Sequence, residues 1–581
     1  MEDHGLDGDP GAPGPDAAAA GAPDRTGTAT HRRFRHLRHY ARSLSFLGLA
    51  FGWLFFVVSL TPSLLPRSWQ AQGFVSGCAV AQGYGLGVAM AWTGRHIGVP
   101  RPSAAMLRQG WYALGMLTLV TVPVILWLSL GWQNDIRRTM GVPATGPTTY
   151  IGVFVIAAGV AAAIVGLVRL VHDFYVVLVR RLSRFLPGGV ASLAATVLVI
   201  GFAVGIASGF ADQVLLRIAD LSSSAANNGN EPGVARPASP FRSGSGSSLV
   251  AWHSLGKQGR AFVSGGPTVA DIERLTGRPA IEPIRVYAGL ASAPTLQGEA
   301  NLVLRELIRT GAFRRALLAI ATPTGSGLVG RGAADPLEYM YRGNTAIAAM
   351  QYSYLPSWIA FLTQRAQARQ AGQALFDTVD RYWSSLPPGH RPKLVVFGES
   401  LGAFGAEAPF SGAASMAART SGALFVGPPN DSHVWRALTN ARARGSPEWL
   451  PIYHGGRTVR FAASVSDLRL PGGGLRHPKI VYLQHSSDPV VWWSPGLIVH
   501  EPDWLAERRG PDVTPQMRWY PFVTFWQVTA DLIVSITVPP GHGHNYGPQI
   551  PTAWAAILHP PGWTSAETAK LNTSETDGEL P

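Results

Sequence analysis

Gly398-Glu399-Ser400-Leu401-Gly402 follows a short apolar run at 394–397 and is followed in turn by small residues. That order predicts strand, sharp turn and helix, the setting in which Gly-x-Ser-x-Gly acts as a nucleophile elbow. The flanking glycines relieve crowding where the turn forces the serine into strained backbone angles. The hydroxyl then stands above a sheet. The helix behind it offers free N–H groups and partial positive charge to a developing oxyanion. The chemistry this allows is attack of a serine on an acyl carbonyl.

A serine nucleophile needs a base and a group to orient that base. In this kind of domain the chain order is serine, acid, histidine. In KIVYLQHSSDPVVWW, Asp488 lies in the loop after a buried-type strand and is the expected orienter. Asp431 and Asp467 compete with it, and a loop-capping role is its bland alternative. Near the C-terminus, VPPGHGHNYG puts His542 and His544 on one glycine-rich turn. His544 is the preferred base because an aromatic residue, Tyr546, follows closely, and His542 is the alternative. These two, with His485 and Asp488, could also ligate zinc. The serine context accounts for the same residues without metal, so neither metal nor cofactor is expected. For the oxyanion, the Leu401 N–H is expected to be one donor. The Thr324 N–H, in the loop after an earlier strand, is the expected second.

These residues need a scaffold. Strand-like runs at 284–287, 316–321, 345–351, 394–397, 423–426 and 480–484 alternate with helical patterns at 299–310, 357–383 and 401–419. Such alternation predicts a mostly parallel sheet covered on both faces by helices. The expected catalytic domain spans 250–563. A Ser/Gly/Asn/Pro-rich linker at 222–249 precedes it and a loose tail at 564–581 follows.

The first half is of another kind. Of the 581 residues 46% are hydrophobic and only 14% charged, against the roughly one quarter usual for soluble chains. Five apolar runs, about 44–60, 73–92, 111–130, 150–171 and 190–210, each approach the ~20 residues needed to cross a bilayer. They predict a transmembrane domain at 43–221, after a disordered stretch at 1–42 that ends in a basic flank. The net charge of +13 raises the question of nucleic acid. The arginines between 32 and 184 lie between apolar runs, and no nucleic-acid motif is present, so the expected partner is the lipid bilayer. Eleven arginines flank one set of helix ends and four the other. The positive-inside rule then places the N-terminus in the cytoplasm and, after five crossings, the catalytic domain outside. The single cysteine, Cys78, excludes an intrachain disulfide. Arg outnumbers Lys 44 to 4, a bias expected of a GC-rich bacterial genome. In the second apolar run, the small-residue pairs Gly73/Gly77 and Gly83/Gly87 predict close helix packing.

SLTPSLLPR and QGYGLG in the first half, with PIRVYAGL, ELIRTGAF, AMQYSYLPSW, RPKLVVFGESLGAFG and PPGHGHNYG in the second, resemble a bacterial family of membrane-bound α/β-hydrolases. The resemblance implies a serine-hydrolase domain with Ser400 at the elbow, and it names no substrate. The expected protein is a multi-pass membrane serine hydrolase acting on an acyl ester, with lipid or envelope esters the favoured class. Two alternatives are an acyltransferase using the same triad and a non-catalytic scaffold that kept the fold.

Overall fold

The computed structural model describes residues 44–205, 226–471 and 479–576. The basic N-terminal flank, the end of the fifth apolar run and Arg217 lie outside these residues.

The second half is built on seven parallel strands: β1 Ile284–Ala288, β2 Leu317–Thr322, β3 Thr345–Met350, β4 Lys393–Glu399, β5 Gly422–Val426, β6 Val459–Ala462 and β7 Ile480–Leu483. Their order across the sheet is β1-β3-β2-β4-β5-β7-β6. Strands other than β4 are buried along their whole length, as expected when helices cover both faces of a parallel sheet. Side chains alternate between two cores. Leu318 and Ile320 face one side, Leu317, Ala319 and Ala321 the other. The register pairs Thr322 with Gly398, Glu399 with Val426 and Val426 with Leu483. The loops that leave β2, β4, β5 and β7 therefore share one edge of the sheet.

Sequence reading missed β6. The helices expected at 357–383 and 401–419 are each divided, giving Ser357–Thr363 and Arg365–Ser385, then Leu401–Glu407 and Ala413–Arg419. Pro409 lies in the second break and cannot continue a helix. The stretch expected to be a loose linker is pinned in part to the sheet. Phe241 O accepts from Arg285 N, and Ser243 N donates to Arg285 O, both at 3.1 Å, so this segment covers the β1 edge. The expected loose tail contains a helix, Ser565–Thr576, with Leu571 fully buried.

In the first half, α1 Phe46–Ser59, α2 Trp69–His96, α3 Ala104–Thr139, α4 Thr149–Leu182 and α5 Gly188–Gly205 correspond to the five apolar runs. Among the described residues, α2, α3 and α4 are long and apolar enough to cross a membrane, while α1 and α5 are shorter apolar helices. The small pairs on α2 face two neighbours. A Cβ on Gly73 or Gly77 would press on Ile156 or Val160 of α4. One on Gly83 would press on Phe55 of α1, and one on Gly87 on the α1 backbone at Leu47 and Gly48. The loop between α1 and α2, and the end of α3, join the core of the second half: Leu64, Leu65, Ile136 and Met140 belong to the same apolar cluster as Leu318 and Ile320.

Candidate active site

β4 runs into Ser400 and then into the helix Leu401–Glu407. Ser400 has φ +57° and ψ −127°, a left-handed conformation that costs a non-glycine residue about 1–3 kcal/mol. Gly398 and Gly402 make the turn possible. A Cβ on Gly398 would collide with the Gly402 carbonyl, and one on Gly402 with that of Thr322. The Ser400 N–H donates to Val426 O at 2.8 Å, which ties the elbow to the end of β5. Leu401 opens the helix, where an N–H has no preceding turn to bond.

The next residue after Val426 is Gly427, and His544 lies over it. A Cβ on Gly427 would clash with the imidazole and sit 2.9 Å from Asp488 Oδ2. His544 and Ser400 are therefore held against consecutive residues of one strand end. His544 Nδ1 lies 2.7 Å from Asp488 Oδ2. With a carboxylate as partner, Nδ1 keeps the proton and Nε2 is the basic nitrogen. Asp488 is fully buried, and its other oxygen accepts from Val490 N at 2.8 Å. Oδ1 thus caps the short helix Pro489–Trp492, while Oδ2 bonds the imidazole.

Burial alone would lower the basicity of His544. The charge and hydrogen bond of Asp488, joined by the charge of Glu399, outweigh it and hold the imidazole above its ordinary value. Glu399, next to the serine, is raised by burial and partly offset by His544. It fits only because Gly330 has no side chain, since a Cβ there would overlap its carboxylate.

Tyr546 has a role that sequence reading did not foresee. Its hydroxyl donates to Asp488 Oδ2 at 2.6 Å and accepts from His485 N at 3.0 Å. An aromatic two residues after the histidine was the visible signal, and its bond to the acid was not. His485 stacks on Tyr546 and uses Nδ1 on the Gly543 carbonyl, and burial holds it below its ordinary value. His542 turns elsewhere. Its Nδ1 is 3.6 Å from Asp512 Oδ2, beyond hydrogen-bond reach, and Asp512 also accepts from Ser486 and Ser487. Asp431 pairs with Arg365, and Asp467 caps the turn at Ser464, so neither orients the histidine. Among the described residues no three His, Cys, Asp or Glu side chains converge as a metal site.

Thr324 does not fill its expected role in this conformation. Its N–H donates to Leu328 O at 2.9 Å and is not free for an oxyanion. The turn remains close to the elbow, since Gly402 packs against the carbonyls of Thr322 and Pro323.

A parallel sheet with a strained serine elbow and a histidine–aspartate pair beside it defines the α/β-hydrolase class. Residues 284–571 match the alpha/beta-hydrolase family, and residues 60–267 match the alpha/beta-hydrolase family N-terminus. The chain belongs to this α/β-hydrolase family. No curated protein and no solved structure matches it.

Proposed function

We propose that the protein is an integral membrane serine hydrolase that cleaves an acyl ester through an acyl-enzyme. Ser400 Oγ attacks the carbonyl carbon while His544 Nε2 takes its proton. The Leu401 N–H stabilises the oxyanion. The imidazolium then gives that proton to the departing alcohol. Water, activated by the same nitrogen, releases the acid and restores the serine. Asp488 stays ionised and holds the imidazole in the required tautomer. The observation behind this reading is the 2.7 Å His544–Asp488 bond placed over Gly427, one residue beyond the carbonyl that anchors Ser400.

The substrate proposed is a lipid or cell-envelope ester, because the site is tethered beside apolar helices. The proposed orientation places the N-terminus in the cytoplasm and the catalytic domain outside. This orientation takes all five apolar helices, the shorter α1 and α5 included, as crossing the membrane. The catalytic half packs on the α1–α2 loop and the end of α3, and these belong to the arginine-poor set of helix ends. Labelling of membranes with a fluorophosphonate probe tests the reading. The native protein should label and Ser400→Ala should not, with equal amounts of both in the membrane. Equal labelling would remove Ser400 from the role.

A further inference from the structure

Leu64 and Leu65 lie in a loop between two apolar helices, yet both are fully buried. What buries them leads to the turn that holds His544. The helix before that turn, α6 Val523–Val534, presents two fully buried polar residues one turn apart, Gln527 and Asp531. Both bond to the loop. Gln527 Nε2 donates to Thr61 O at 3.0 Å and to Thr61 Oγ1 at 3.2 Å. Asp531 Oδ2 accepts from the Ser63 hydroxyl and from Leu64 N, the latter at 3.1 Å. Burial pushes Asp531 up to about 6, against the charge of Arg67 and these hydrogen bonds.

The contact continues into the histidine turn. Ser535, the residue after α6, accepts from His544 N at 2.8 Å. Gly543, at φ +53°, is enclosed from three sides. A Cβ there would lie 2.7 Å from Val538 Cγ2, 2.8 Å from Ser535 O and 3.3 Å from Leu65 Cδ2. A displacement of α6 would carry Ser535 O with it and move the backbone N–H of His544. Leu65 packs under the same turn.

We propose that the loop 61–67 of the membrane half braces the His544 turn, and that Ser63, Leu65 and Asp531 are positioning residues for the base. The membrane half is then part of the catalytic apparatus as well as an anchor. This gives a reason for SLTPSLLPR, which no other part of the site explains. The inference rests on His544 being the base.

Its test is the rate of fluorophosphonate acylation against pH, measured with thermal unfolding on the full-length protein in membranes or detergent. The midpoint reports His544 facing Asp488, Glu399 and Tyr546. Asp531→Leu leaves Ser63 and Leu64 without their acceptor, and Leu65→Ala opens space under the turn. A misplaced catalytic group can cost up to about 10²-fold, so acylation should fall about 10- to 100-fold in both. The pH midpoint should also move down, because a displaced imidazole loses part of its bond to Asp488. Ser63→Ala should show the same change, smaller. Asp531→Asn keeps an oxygen acceptor and should restore most of the rate and the midpoint. If Asp531→Leu does not fold, Leu65→Ala and Ser63→Ala decide the matter. Variants that lose thermal stability with the native rate and midpoint would show a merely structural contact and overturn the proposal. A native protein that does not label would instead overturn the serine-hydrolase reading itself.

Discussion

Two imidazole–carboxylate pairs share one glycine-rich turn, and they differ in what they face. His544 and Asp488 are 2.7 Å apart, with the acid fully buried and the ring over the end of β5 beside the elbow. His542 and Asp512 are 3.6 Å apart, and His542 is a quarter exposed. Asp488 has three hydrogen-bond donors that fix it, from His544, Tyr546 and Val490. Asp512 takes the hydroxyls of Ser486 and Ser487, and Ser487 in turn accepts from Gly543 N at 2.9 Å. In one pair the imidazole is bonded to its acid beside the elbow; in the other the acid alone, through Ser487, fastens the turn that carries both histidines. His542 and His544 point to different neighbours because Gly543 between them, at φ +53°, turns the backbone out of the extended geometry in which i and i+2 side chains share a face.

That contrast orders the expected effects. His544→Ala removes the general base and should slow acylation about 10²–10⁴-fold or more. A loss of only a few-fold, measured by probe kinetics, would break the comparison at its stronger end. Asp488→Asn should cost a comparable factor, up to about 10⁴, by favouring the wrong tautomer. It should also lower the pH midpoint, since the charge that raises His544 is gone. In the native protein the base acts when neutral, and its folded value is raised. Acylation should therefore climb with pH through a midpoint above the ordinary histidine value of about 6.5. A midpoint below that value would mean that burial outweighs Asp488. Tyr546→Phe leaves Asp488 with two of its three donors and should cost about 10-fold, in line with one hydrogen bond to a charged group at 1.5–3 kcal/mol. His542→Ala should cost clearly less than His544→Ala, and the reverse ranking would transfer the role to His542. Smallest of all, a chelator should leave every one of these rates unchanged. Activity lost to chelation and restored by zinc would replace the serine mechanism with a metal one.

The elbow and the order of its partners were legible because they depend on local chemistry. A strained turn demands glycine on each side of Ser400, and a buried acid demands a loop after a strand. Features decided by distant contacts were harder to read. β6 escaped notice because Arg460 interrupts its apolar run, and only the fold supplies the carbonyls of Gly456 and Leu468 that satisfy the buried guanidinium. The segment 240–245 has a linker's composition, and its order comes from an exposed sheet edge that sequence does not display. The helix Ser565–Thr576, expected as a loose tail, had a local signal that was passed over. Thr564 and Glu567 form a capping box, with Thr564 N to Glu567 Oε2 at 2.7 Å and Glu567 N to Thr564 Oγ1 at 3.2 Å. Thr324 misled because its position beside the elbow is visible in the sequence and the bond from its N–H to Leu328 is not.

All of these comparisons presuppose that Ser400 becomes acylated. The direct measurement is mass-spectrometric location of the phosphonyl adduct after the native full-length protein has reacted with a fluorophosphonate. The account predicts one adduct per chain, on the Ser400 hydroxyl, formed faster as pH rises through the His544 midpoint. An unmodified Ser400, or an adduct on another residue, would contradict it.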